Sequence, residues 1–435
     1  MGKIMKRKLL ALAIGSAVAV QSGIVLSDAT VYGKINVSAQ QEDLDYLGNN
    51  HDLNGLEFQS STRDVDHDVF NSNASRIGFK GKAKINDDVD AVFKLEYEAF
   101  VDDGDDGSGF SSEFNQRNIV GGLSSKTWGT IQGGKNDTPL KMAADGTDQF
   151  NDLVLGDINN YMVGENREDN IIMYTSPTLM GFTGTFGTMV GEDKGVGELA
   201  TDNDEDGLFD RMSASVKYAY NDNMWAALAF DDNVRNADII RLVGQATVGD
   251  FTFDAHWQTA EVHNDDLDND GRNGEVGEGM TIGGTMSSAM GAGNVDLADA
   301  DPVNAGAQPK TVNEGIATMI EDQDAWMING KYQLGDWAFK AQYGHSKSST
   351  FGFIPNFGLN ASLTASAAAA QDHSFDADQV ALGVDYALSK NVTVYGYVAD
   401  ISVDTDGVDI LTTNGFMTDD DSDLKTGGVG LEIKF

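Results

Sequence analysis

Cysteine is absent from this chain and proline nearly so: none and 5 in 435 residues. Without cysteine there is no disulfide framework and no thiolate metal site. With so little proline there is no proline-rich linker, and no composition break divides the chain, which points to one large folded unit rather than several domains. Basic residues are also scarce, 29 Lys and Arg against 69 Asp and Glu, a formal charge of −40. That balance argues against a nucleic-acid partner, because no basic face is available. Beyond the N-terminus no apolar run reaches the roughly 20 residues that a bilayer-spanning helix needs. Acidity with low hydropathy could mean disorder, but 9% aromatic content argues against it. The six histidines are His51, His67, His256, His263, His345 and His373. Only His256 falls inside a regular apolar–polar pattern, and nothing marks a Ser–His pair, so the chain does not read as an enzyme.

What is present begins with a targeting segment. Lys3, Lys6, Arg7 and Lys8 precede an apolar stretch from Leu9 to Val20. Small residues follow, with Ala17-Val18-Ala19 and Val25-Leu26-Ser27 both acceptable before a cleavage point. Residues 1–27 are expected to be a secretory signal peptide, leaving 28–435 as the folded domain.

In that domain the dominant signal has period two. Val31, Gly33, Ile35 and Val37 alternate with Tyr32, Lys34, Asn36 and Ser38. Phe251, Phe253, Ala255 and Trp257 alternate with Thr252, Asp254, His256 and Gln258. One apolar and one polar face over about ten residues fits tilted membrane strands, and equally a soluble antiparallel sheet with its apolar face inside. The connections separate the two. Strands are expected near 29–40, 72–85, 89–101, 113–124, 127–135, 170–177, 182–190 and 210–221. Eight more are expected near 224–233, 237–247, 251–261, 324–334, 337–346, 377–388, 392–403 and 425–435. Seven short turns alternate with eight mostly long polar loops, so all turns lie at one end and all loops at the other. An even number of strands sorted this way is how outer-membrane barrels are built, and closure removes the exposed edges of an open sheet.

One stretch breaks the pattern. Gly134 to Asn170 holds more than 30 residues of little periodicity between two strands, too long for a simple connection in a compact fold without a function. It carries Asp145, Asp148, Asp152 and Asp157. Two other loops hold spaced carboxylates. Asp202, Asp204, Asp206 and Asp210 surround Gly207, and Asp266, Asp268 and Asp270 precede Gly271. Oxygen ligands at this spacing suit Ca²⁺, although neither copy has Glu at the twelfth position. No cofactor is required by the rest of the chain, and Ca²⁺ in these surface loops is an expectation beside the plainer reading of solvated acidic loops.

Several segments resemble the Gram-negative general diffusion porins. Val31-Tyr32-Gly33-Lys34 is similar to the first strand of that family, Ser75-Arg76-Ile77-Gly78-Phe79-Lys80-Gly81 to the second, and Gln116-Arg117-Asn118 to part of the fourth. Thr130 to Leu140 and Arg167 to Tyr174 resemble the flanks of its third loop, and a final strand ending in Phe435 resembles its outer-membrane assembly signal. The resemblance implies an all-β fold, a 16-stranded antiparallel transmembrane β-barrel with an inward-folded third loop. It also implies homotrimers in contact with outer-membrane lipid and lipopolysaccharide, and delivery by the outer-membrane assembly machinery through Phe435. The family's wall ladder of basic side chains falls here on Lys34, Arg76, Lys135 and Arg167, with Arg117 and Lys80 as further candidates. Alternation independently puts Lys34, Arg76 and Lys80 on the polar face. Opposing acids are expected among Asp145, Asp148, Asp152 and Asp157, nominated by place alone, since the loop has no counterpart of the family's Pro-Glu-Phe-Gly segment. The expected function is a water-filled channel for passive diffusion of small hydrophilic solutes and ions. The alternatives are a solute-specific porin with a binding site, a Ca²⁺-dependent adhesion or structural barrel with a plugged lumen, and a secreted soluble β-protein.

Overall fold

The computed structural model describes residues 29–50, 59–102, 114–190, 208–235, 237–263, 320–350, 373–406 and 422–435. The expected signal peptide lies outside them. The strand segments are β1 (Thr30–Asn50), β2 (Gln59–Ser72), β3 (Arg76–Lys84), β4 (Val89–Ala99), β5 (Phe114–Ser125), β6 (Gly129–Asp137), β7 (Arg167–Thr175) and β8 (Phe182–Met189). They continue as β9 (Met212–Asn221), β10 (Met224–Asp232), β11 (Ala237–Val248), β12 (Phe251–Val262), β13 (Ile320–Leu334), β14 (Trp337–Thr350), β15 (His373–Ser389), β16 (Val392–Asp406) and β17 (Ser422–Lys434). All belong to one antiparallel sheet, and β1 closes it by pairing with β17 from Lys34↔Lys434 to Asp45↔Asp423. β2 and β3 pair with consecutive stretches of β1, so together they make one stave, and the barrel has sixteen.

The break in that stave is a bulge. Its register with β1 is Val37↔Ser72 above and Lys34↔Arg76 below, one residue out of step. Ala74 takes up the extra residue at φ 47°. Ser75 replaces the lost ladder bonds, its Oγ accepting from the Asn36 N–H at 2.9 Å and donating to the Asn36 carbonyl at 3.0 Å. Bulges of this sort re-aim a side chain, and this one sets Arg76 directly across from Lys34.

The seven tight turns form where the small polar residues stand. Asn86 accepts from the N–H groups of Asp88 and Val89 at 2.8 and 2.9 Å, and Asn221 from that of Asn223 at 2.8 Å. Gly249 and Gly335 supply the positive φ of their two-residue turns, 62° and 59°. At the opposite end the strands run further than their alternation indicates. β1 continues ten residues past Gln40 to Asn50, and its partner stave starts at Gln59 instead of 72. β13 to β17 are extended at the same end. The added sequence is rich in charged and amide residues, such as Gln41-Glu42-Asp43 and Asp64-Val65-Asp66-His67-Asp68, so the period-two signal fades although the ladder continues.

Burial decides between a soluble sheet and a membrane wall. Trp257, Ile328 and Val380 are 47, 53 and 44% exposed, while Gln258, Arg241 and Gln379 are fully buried. The apolar face therefore looks outward and the polar face inward, the reverse of a soluble sandwich and the requirement for a barrel in lipid. Near the short turns the outward face carries paired aromatics, Phe182–Tyr218, Phe251–Tyr332 and Trp337–Tyr386, each with ring centroids 4.5 Å apart. Such a girdle sits at a membrane–water boundary.

Candidate constriction site

Residues 138–166 leave β6 and return to β7 by way of the barrel interior. Thr138 caps a short helix, α1 (Pro139–Ala143), its Oγ1 accepting from the Lys141 N–H, with Pro139 at the first helical position. Further on, the Asp148 carboxylate accepts from the N–H groups of Phe150 and Ile158 at 3.0 and 2.9 Å, which ties the outgoing and returning legs together. Asp157 does the same for the tip, accepting from Asp152 at 2.7 Å and Asn159 at 2.8 Å.

The loop docks on the inner wall through its apolar side. Leu140, Phe150, Leu155, Ile158 and Tyr161 are buried against inward-facing Ala227, Ala229, Ala260, Ala325 and Ala381. Two wall glycines make room for rings: a Cβ on Gly344 would lie 2.1 Å from the Tyr161 hydroxyl, and one on Gly383 2.9 Å from the Phe150 ring. Inward amides complete the attachment. Gln379 accepts from the Gly156 N–H at 3.1 Å, Gln323 accepts from the Val163 N–H at 3.0 Å, and Asn329 donates to the Thr147 carbonyl. Buried Arg241 grips the returning leg, donating to the Val163 carbonyl at 3.0 Å and pairing with Glu165 at 2.5 Å. These wall residues are buried on the inward face of the sheet, and Arg241, Asn329 and Gln379 each stand beside an exposed apolar neighbour (Ile240, Ile328 and Val380), so the loop is inside the barrel.

The tip crosses to the other wall. Asp152 stands at φ 70°, an uncommon conformation for a residue with a side chain. Its Oδ2 is 2.5 Å from both Lys34 Nζ and Arg76 Nη2. Burial works to raise its pKa, but the two cations overcome this and hold it below the ordinary carboxylate range. Lys34, Arg76 and Asp152 are thus brought together. Arg117 lies beside them in the wall, paired with Glu96 at 3.2 Å and Glu98 at 3.0 Å. Lys80 sits over the Tyr32 ring at 4.8 Å, and the Tyr32 hydroxyl donates to Glu96 at 2.8 Å. The other candidates have separate partners. Arg167 pairs with Asp137 at 2.9 Å at the foot of the loop, and Lys135 with Asp169 at 3.1 Å. Asp145 is exposed after α1 and has no ion pair among the described residues. Asp148 and Asp157 turn their carboxylates into the loop itself. Burial pushes the Asp157 carboxyl up to about 6, and burial together with nearby Asp157 raises that of Asp148 well above its usual value.

A cavity of about 600 Å³ adjoins the tip, lined by Lys34, Arg76, Asp152, Lys340, Tyr395 and Glu432 among others. Lys340 enters it between the Gln149 carbonyl at 3.1 Å and Asp385 at 3.0 Å. Lys340, Arg241 and the wall acids Glu96, Glu98 and Glu432 are absent from the residues nominated by sequence. Alternation places Arg241 inward between Ile240 and Leu242, and an arginine in so apolar a strand was the available signal. Of the Ca²⁺ candidates, Asp202, Asp204, Asp206, Asp266, Asp268 and Asp270 lie outside the described residues, and Asp210 stands just before β9.

A family model described as Gram-negative porin matches residues 9–406. An outer membrane porin protein of Bordetella pertussis is 29% identical over 186 residues, which is 41% of this chain and 46% of that protein. Outer membrane porin protein 32 of Delftia acidovorans is 27% identical over 204 residues, 44% of this chain and 52% of that protein. The chain therefore spans about half the length of the curated relatives it matches. Among solved structures, the anion-selective porin from Comamonas acidovorans superposes with a TM-score of 0.55 at 18% identity, over 94% of this chain and 99% of that one. Salmonella typhi OmpF superposes with a TM-score of 0.52 at 14% identity, over 94% of this chain and 97% of that one. At those identities the structures speak for the fold alone. With a closed sixteen-stave wall that is apolar outside and polar inside, and with the family model spanning nearly its whole length, the chain belongs to the Gram-negative porin family and is a β-barrel of the outer membrane.

Proposed function

We propose that the chain forms a passive channel for small hydrophilic solutes and ions, narrowed where Asp152 meets Lys34 and Arg76. The observation that carries this reading is the loop 138–166, held across a polar lumen by buried side chains and ending in one carboxylate between two cations. Fixed charges of both signs facing each other across a narrow aqueous gap create a transverse field that sorts ions and aligns dipolar solutes. Lys34, Arg76, Arg117 and Lys80 form its basic side. Asp152 with Glu96, Glu98 and Glu432 balances those four charges, so the net ion selectivity is weak. Arg167 and Lys135 act at the loop's foot, and Asp145 meets solutes as a free lumenal acid. Asp148 and Asp157 brace the loop.

The finer assembly follows the same reading: a homotrimer in lipid and lipopolysaccharide, exported by residues 1–27 and delivered to the assembly machinery through Phe435. Ca²⁺ on the acidic surface loops is part of the proposal too, its role being to reduce repulsion between them. The test is a planar bilayer under a KCl gradient. Stepwise insertions, in threes, with a small reversal potential are expected. Correctly inserted protein that carries no current would overturn the channel and leave an adhesion or structural barrel.

A further inference from the structure

We propose that Asp232, Asp238 and His263 form a binding site for a divalent transition-metal ion such as Zn²⁺, on the outer face of the barrel at its loop end. The three residues come from three adjacent strands. Asp232 ends β10, Asp238 is the second residue of β11, and His263 follows β12. One ligand atom from each lies within 4.8 Å of the others. His263 Nδ1 is 2.7 Å from an Asp238 carboxylate oxygen and 3.6 Å from one of Asp232.

The backbone explains why they meet. The connection between β10 and β11 is the shortest at this end of the barrel, and the register Asp231↔Ile239 places Asp232 and Asp238 on the next rung. The Asn233 N–H fixes the Asp238 carboxylate by donating to it at 2.8 Å. The register Ala237↔Val262 brings His263 alongside. Asp231, Ala237, Ile239 and Val262 are buried toward the lumen, so the alternating ligands face out, half-exposed.

Charge is the second argument. Two carboxylates held this close repel one another unless a cation lies between them. The group between them is the His263 ring, and no lysine or arginine reaches them: Arg235, at the tip of the same turn, is paired with Glu168 at 2.6 Å, and among the described residues no Lys or Arg pairs with Asp232 or Asp238. One imidazole nitrogen with two carboxylates is a donor set for Zn²⁺ and its neighbours, with water in the fourth position. Ca²⁺ prefers six to eight oxygens and gains little from an imidazole. An ion here would tie the β10–β11 turn to the end of β12, where the chain leaves for its longest loop.

The experiment titrates Zn²⁺ into the full barrel in detergent by calorimetry, for the natural chain and for His263→Ala and Asp238→Asn. Other acidic loops can take up Zn²⁺, so the difference between isotherms is the readout. The natural chain should bind one more equivalent, or each variant should lose about tenfold or more in affinity at that site, with millimolar Ca²⁺ failing to displace the ion. X-ray absorption of the Zn²⁺-loaded natural chain should show one imidazole in the shell, a measurement that needs no variant. An oxygen-only shell, identical isotherms for His263→Ala and the natural chain, or displacement by Ca²⁺ would each overturn the site.

Discussion

The back of the constriction loop lays Leu140, Phe150, Ile158 and Tyr161 against the alanines and glycines of the barrel wall, whereas its tip offers Lys34 and Arg76 a single carboxylate, Asp152. The back is held by apolar burial, which is insensitive to salt and worth roughly 1.5–3 kcal/mol per large side chain. The tip is held by ion pairs that solvent still reaches, with side-chain exposures of 11 to 20%, so their strength falls as salt rises. The first keeps the loop in the lumen; in the proposed channel the second sets the field that a permeating ion meets. The two jobs need different chemistry, and separating them lets the charged residues change while the loop stays in place.

The largest break in that comparison comes from the back. Tyr161→Ala empties the hole opposite Gly344 and removes a fully buried ring, which costs about 3–5 kcal/mol of docking. Amides of residues 140–163 should lose protection in hydrogen exchange, and single-channel current should become larger and noisy. A quiet channel of ordinary size would show that the ring is not the anchor. A smaller effect is expected at the tip. Lys34→Gln with Arg76→Gln should loosen only the tip around Asp152, leave protection of the docked back at Leu140, Ile158 and Tyr161 unchanged, and move the reversal potential toward cations, most strongly in dilute KCl. No movement of the potential would place the selective field elsewhere.

The smallest effect sharpens the comparison through pH. The Asp157 carboxyl, raised to about 6 in the docked loop, favours docking while protonated. Its contribution is complete below its ordinary pKa of about 4 and is lost as pH rises through 6. Asp148 shifts in the same direction. Asp152 has the opposite sign, so its latch is lost as acid protonates it. Loop protection factors should therefore decline modestly from pH 4.5 to 7, and the decline should be shallower in Asp157→Asn. An equal decline in both would remove Asp157 as its source.

The staves were legible because lipid outside and water inside impose strict alternation, and the turns because Asn86, Asn221, Gly249 and Gly335 carry turn chemistry. The extensions of β1 and β2 were not, because charged and amide residues crowd both segments and blur the alternation. The bulge at Ala74 left no mark in composition. At the site, Lys34 and Arg76 could be placed from alternation and resemblance together. Which loop acid reaches them could not, because that depends on Asp152 adopting a left-handed backbone and on Asp148 and Asp157 turning inward to bind amides. The apolar anchor was missed for a similar reason. Leu140, Phe150 and Tyr161 follow no period, since their spacing is set by holes in a wall far away in sequence.

The long paired collar of β1 and β2 has a consequence for the medium around the cell. Asp45 pairs with Asp64 there, eleven residues along β1 from Lys34, a path of about 36 Å at strand rise. In physiological salt, where fields decay over about 8 Å, the acidic collar and the Lys34–Arg76 eyelet do not sense each other, and in the proposed channel they act as two filters in series. Near 0.01 M salt, where the decay length grows to about 30 Å, they merge into one. On the proposed channel reading, the preference between anions and cations is therefore coupled to salinity, with the collar's preference for cations gaining weight as the water becomes fresher.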